Sequence, residues 1–177
     1  MADTKNWTWV LERPCPDCGF DAGALDRRDI AGATRRVAAR FAELLASGDV
    51  VVRTRPEPEV WSALEYGAHV RDVFAVMLGR LQLMLRDDDP TFANWDQDAT
   101  AVVERYDALD PAVVAVEVVA GGQALADAYA AVAEDQWVRR GLRSDGSAFT
   151  VESLGRYMIH DPVHHVWDVE QGFDRLR

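Results

Sequence analysis

At 177 residues, with 49% apolar and 28% charged side chains, the chain has the size and composition of one globular domain. Its formal net charge of −11 argues against nucleic acid or an anionic membrane as the main partner, because both need a positive footprint. No apolar run approaches the length needed to span a bilayer. Met1 to Val10 is polar and tryptophan-bearing, so no signal peptide is read and a cytoplasmic location is expected.

Residues 1–25 read as an irregular N-terminal arm, since Pro14, Pro16, Gly19 and Gly23 break any period. Residues 26–177 read as the helical domain. Ile30, Val37, Phe41, Leu44 and Leu45 recur at helical spacing and predict a first helix over 26–46, ended by Ser47-Gly48-Asp49. Val50-Val51-Val52 suits a brief strand, although Pro56 and Pro58 mark a connection. Ser62 and Glu65 then form a capping-box pattern, and Trp61 with Tyr66 has the spacing of a hydrophobic staple. The helix they open should run from Ala63 to about Arg86. Asp87 to Pro90 stops it, and a long connection follows, with Thr100–Tyr106 as a helical lead-in. Asp110-Pro111 opens a third long helix ending near Gln136, with Gly121-Gly122 inside it as a close contact, a kink or a cavity wall. Ser144 to Ser147 is a turn, and Thr150 caps a last helix, Val151 to about Phe173. Four long helices, one long crossover and almost no strand signal predict an all-α four-helix bundle.

The four histidines are not scattered. His69 lies on a mostly apolar face with Val73 and Val76, so its ring should point inward and needs a partner. His160 and His164 are four apart, which puts both rings on one side of a helix, a common way to present two nitrogens to one metal. On spacing alone, the three form either an open metal site or a set of hydrogen-bonded core histidines. Pro162 blurs which of His164 and His165 faces inward, and His165 reads as a core or supporting residue paired with Asp161 or Asp168. Asp72 and Asp168 are placed to orient metal-bound imidazoles.

The stretch Trp61-Ser62-Ala63-Leu64-Glu65-Tyr66-Gly67-Ala68-His69-Val70-Arg71-Asp72 and the run from Phe149 through Tyr157-Met158-Ile159-His160-Asp161-Pro162-Val163-His164-His165 resemble the DinB-like superfamily. That group includes the YfiT-like proposed metal-dependent hydrolases and thiol S-transferases that use bacillithiol or mycothiol. The resemblance covers roughly residues 26–173. It implies a four-helix bundle with a long crossover between helices two and three. It also implies a divalent metal, zinc or nickel, held by one histidine of helix two and an HxxxH pair of helix four. Those roles fall on His69, His160 and His164.

The Cys15-Pro16-Asp17-Cys18-Gly19 arm is outside that pattern. Two cysteines at this spacing are half a zinc site. His165, Asp21 or a second chain could supply the remaining ligands, or the thiols are reduced bystanders. The βαβ context of a redox motif is absent. Trp7, Trp9 and Phe20 suggest that the arm packs on the bundle.

Three functions fit. The first is a thiol S-transferase that holds a low-molecular-weight thiol on the metal as thiolate, with Arg80, Tyr157 and Arg156 as contacts for this cofactor or a small-molecule substrate. The second is metal-assisted hydrolysis with Asp72 or Asp161 as catalytic base. The third is a non-enzymatic binding or dimerisation module. A homodimer is the default assembly.

Overall fold

The computed structural model describes residues 7–177. Residues 1–6, part of the polar start from which the absence of a leader was read, lie outside them. Six helices occur among the described residues: α1 (Ile30–Leu45), α2 (Asp49–Arg53), α3 (Ala63–Arg86), α4 (Gln97–Val103), α5 (Pro111–Ala130) and α6 (Val151–Arg175). The four long ones, α1, α3, α5 and α6, form the bundle. α5 packs between α1 and α3, and α6 packs between the same two on the other side. The link from α3 to α5 is the expected long crossover.

Three of the four bundle helices, α3, α5 and α6, start where the sequence offers a side-chain cap. Ser62 Oγ accepts from the Glu65 amide at 3.3 Å, and Glu65 Oε2 accepts from the Ser62 amide at 2.9 Å. Such a cap contributes about 1 kcal/mol. The rings of Trp61 and Tyr66 meet at 5.6 Å, completing the staple. Asp110 Oδ1 accepts from the Ala112 amide at 2.8 Å, with Pro111 at the first helical position. Thr150 and Ser153 form a second reciprocal box. The buried face of α1 carries Ile30, Thr34, Val37, Ala38, Phe41, Leu44 and Leu45, a helical stripe.

Several boundaries differ from the sequence reading. The first helix is preceded by a 3-10 turn, Arg27–Asp29, with Asp26 as its cap. The Val50–Val52 run is a short helix rather than a strand: Val52 is buried while Val50 is 81% exposed. The third long helix stops at Ala130, not near Gln136, because Trp137 turns back to stack on the buried Tyr129 at 6.1 Å. A hairpin of β1 (Arg140–Leu142) and β2 (Ala148–Thr150), bent at Gly146, precedes the last helix. It anchors the crossover, since the Phe92 amide donates to Leu142 O at 2.7 Å and the Leu142 amide to Pro90 O at 2.8 Å. Gly141 permits this, because a Cβ there would sit 2.4 Å from the Phe92 ring.

Gly122 is explained by close packing: a Cβ would lie 2.6 Å from the Ala38 Cβ and 3.1 Å from the Phe74 ring. α5 itself corrects the expectation about apolar length. By length and composition it could cross a membrane, with mean hydropathy 1.3. It nevertheless packs into the bundle on one side and exposes Val113, Val116 and Val119 on the other.

Candidate metal centre

α3 and α6 face each other, and α6 carries two ligand pairs in succession. His160 and His164 share one face, and Asp161 and His165 share the next, about 100° around the helix. Pro162 sits between them and cannot donate a helical hydrogen bond. The two faces meet different partners. His69, Asp161 and His165 offer ligand atoms within 4.8 Å of one another, and so do Cys15, Cys18, His160 and His164.

The structure therefore does not group His69 with His160 and His164, the triple expected from the resemblance. The helix-four pair that faces His69 has the same four-residue spacing one position later, and its first member is an aspartate. His165, expected to assist the cysteines or to support the site, faces His69 instead. Asp161, expected as a base, joins the donor group.

His69 is fully buried, and neither ring nitrogen has a hydrogen-bond partner among the described residues. Its Nε2 lies 3.4 Å from Asp161 Oδ1, a buried atom that accepts no well-aligned hydrogen bond from the described residues. His165 Nε2 lies 3.7 Å from the same oxygen, while its Nδ1 bonds Asp168 Oδ2 at 2.8 Å. Buried polar atoms without partners are costly. Two metal–donor bonds of about 2.1 Å at a tetrahedral angle place their donors roughly 3.4 Å apart, so the spacing suits one ion. Three protein donors would leave a position open.

Electrostatics agree with a cation-ready site. Burial opposes ionisation of Asp161, but His165 and His69 outweigh it and hold the carboxyl at about 2. Burial lowers the pKa of His165, yet Asp161 and Asp168 raise it overall. On the neighbouring face, burial and then His164 push His160 down to about 4, which keeps it neutral.

Aromatic rings wall the His69 group. Trp95, from the crossover, stacks on His69 at 5.5 Å with the planes 6° apart. Trp61 approaches the same ring at 5.5 Å, and Tyr66 lies 4.8 Å from His165. Sequence reading missed Trp95 as a site residue, because nothing local distinguishes it from a packing tryptophan.

The remaining candidates fall elsewhere. Asp72 accepts from Tyr106 Oη and, at 2.7 Å, from Arg71 Nε, outside the donor group. Arg80 is half-buried on α3 at hydrogen-bond range of Ala93 O and over the Phe92 ring. Burial, then the like charge of Arg143, lowers its pKa, while Tyr157 and Asp145 oppose this. Arg156 pairs with Glu152 at 2.7 Å.

The sequence profile of the DinB superfamily matches residues 30–169. No curated protein matches the sequence significantly. Among solved structures, YfiT from Bacillus subtilis is similar, with a TM-score of 0.77 and 18% identity over 85% of this chain and 87% of that one. YfiT is described as "a probable metal-dependent hydrolase with an unusual four-helix bundle topology".

Proposed function

The chain belongs to the DinB superfamily, and from that premise we propose that it is a metal-dependent enzyme whose working ion is held by His69, Asp161 and His165. The observation that carries this reading is the convergence of His69 Nε2 and Asp161 Oδ1, both buried and without a well-aligned hydrogen bond among the described residues, with His165 Nε2. A divalent ion there, zinc or nickel, would act as a Lewis acid and lower the pKa of a coordinated thiol or water.

Within that chemistry, transfer of a low-molecular-weight thiol to an electrophilic small molecule fits best. The carboxylates of Asp161, Asp168 and Asp72 already have roles in the donor group, at His165 and at Tyr106. None of the three stands ready to take a proton from water, and a thiol held on the ion would be deprotonated more fully than water, its proton passing to solvent. Asp168 holds the His165 ring so that Nε2 faces Asp161. Trp61 and Trp95 keep solvent from His69.

Arg80, Arg143 and Tyr157 would bind an anionic arm of the thiol or substrate. Arg143 pairs with Asp145 at 3.5 Å through Nη2, while its buried Nη1 has no hydrogen-bond partner among the described residues and is left to meet a carboxylate of the ligand. Eleven helical residues separate Arg80 from His69, roughly 16 Å along α3, which suits an extended thiol such as mycothiol. Hydrolysis is the second reading, favoured by the likeness to YfiT.

The test is a paired assay on metal-loaded protein: mycothiol or bacillithiol with electrophiles, and ester or amide substrates without thiol. Thiol-dependent turnover lost in His69→Ala and His165→Ala supports the first reading. Thiol-independent hydrolysis lost in the same variants supports the second. Turnover of neither kind, with the metal bound, removes the enzymatic reading in favour of a binding module.

A further inference from the structure

We infer that Cys15, Cys18, His160 and His164 form a second metal site, a closed tetrahedral zinc centre that clamps the N-terminal arm onto α6. The two thiols are free rather than joined as a disulfide, and Cys15 is buried. Cys15 Sγ lies 3.6 Å from His164 Nδ1. Zinc bonds of about 2.3 Å to sulfur and 2.05 Å to nitrogen, at a tetrahedral angle, separate the donors by roughly 3.6 Å. His160 is 5% exposed, and its Nε2 is shut off from solvent with no hydrogen-bond partner among the described residues. All four ligand atoms lie within 4.8 Å of one another.

The local chain is shaped to present both sulfurs. The Gly19 amide donates to Cys15 O at 2.9 Å, and the Cys15 amide donates to Phe20 O at 2.9 Å, closing a tight loop around Cys18. Gly19 has φ +72°, which glycine adopts without strain. Trp7 lies 5.9 Å from both His160 and His164, and Trp9 lies 6.4 Å from His160, so the arm covers the imidazoles.

Two thiolates and two imidazoles are a donor set that selects zinc. Binding releases the two thiol protons to solvent. Four protein ligands fill a tetrahedral ion and leave no position for substrate, so this ion is structural. Its consequence reaches the neighbouring site: His160 and His164 directly precede Asp161 and His165, so fixing one pair fixes the turn of α6 that presents the other.

Cobalt substitution with elemental analysis tests the site. Cobalt-loaded wild type is expected to show a thiolate-to-cobalt absorption band and intense tetrahedral visible bands. Both thiols should resist alkylation until a chelator is added. Cys18→Ser and His160→Ala are expected to lose the band and one metal equivalent, and His69→Ala to keep the band. A cobalt-loaded wild type without the band overturns the site, as do thiols that alkylate equally fast with and without metal. Both readouts use the unmutated chain, so misfolding of a variant does not blunt them. One equivalent in wild type, with the band, overturns the His69 centre and leaves this one standing. One equivalent without the band does the reverse.

Discussion

His165 Nδ1–H donates to Asp168 Oδ2 at 2.8 Å, and this single contact turns its Nε2 toward Asp161. The same oxygen lies 3.8 Å from His164 Nε2, so one carboxylate backs a histidine from each cluster. Outer carboxylates of this kind typically change metal affinity by about 10–100-fold when removed. Asp168→Ala is expected to weaken binding by that order, read by competition with a coloured chelator. Unchanged affinity would mean that Asp168 does not orient either ring.

Asp161 is the carboxylate of the donor group that faces His69. Asp161→Ala should lose the ion beside His69, because two imidazoles alone hold it weakly. Asp161→His should keep it, since a third imidazole can replace the carboxylate. Elemental analysis after zinc loading distinguishes them. Full occupancy in Asp161→Ala would show that Asp161 is not a donor.

The two shifted histidines predict a maximum in the stability of metal-free protein. The pKa of His165 is raised above 6.5, so its contribution is complete below 6.5 and is lost as pH rises through the folded value. That of His160 is depressed to about 4, so the unfolded chain takes up the proton first and stability falls as pH drops from 6.5 toward 4. Thermal melts in chelator between about pH 4 and 8 should peak near the ordinary histidine value. His160→Ala should flatten the acid limb, and His165→Ala the alkaline one. A monotonic wild-type profile unaltered by either substitution would contradict the assignment.

Two helix glycines should respond oppositely to alanine. At Gly122 the added Cβ meets Ala38 at 2.6 Å, so Gly122→Ala is expected to destabilise by about 1–3 kcal/mol through overpacking. At Gly79 nothing lies within 4 Å, and Gly79→Ala should stabilise by about 0.5–1 kcal/mol. Chemical denaturation measures both. Equal stabilisation at both positions would show that the α1–α5 contact relaxes around the added methyl without cost.

Much of the bundle was legible in the sequence because it is written in local signals. The Ser62–Glu65 box, Asp110-Pro111 and Thr150 act over one helical turn, and the apolar stripes act over a few. The end of α5 was not legible, because the stacking of Trp137 on Tyr129 overrides a continuing helical pattern. The Val50–Val52 run was ambiguous for a similar reason: only the burial of Val52 selects helix.

The sequence by itself determined that His160 and His164 lie on one side of a helix and Asp161 and His165 on the next, since 100° per residue requires it. Which side faces which partner was decided only by tertiary structure. Cys15 reaches His164 across 149 positions of chain, and its arrival leaves Asp161 and His165 to face His69. Helical spacing names pairs of ligands, but packing between distant segments assembles the sets.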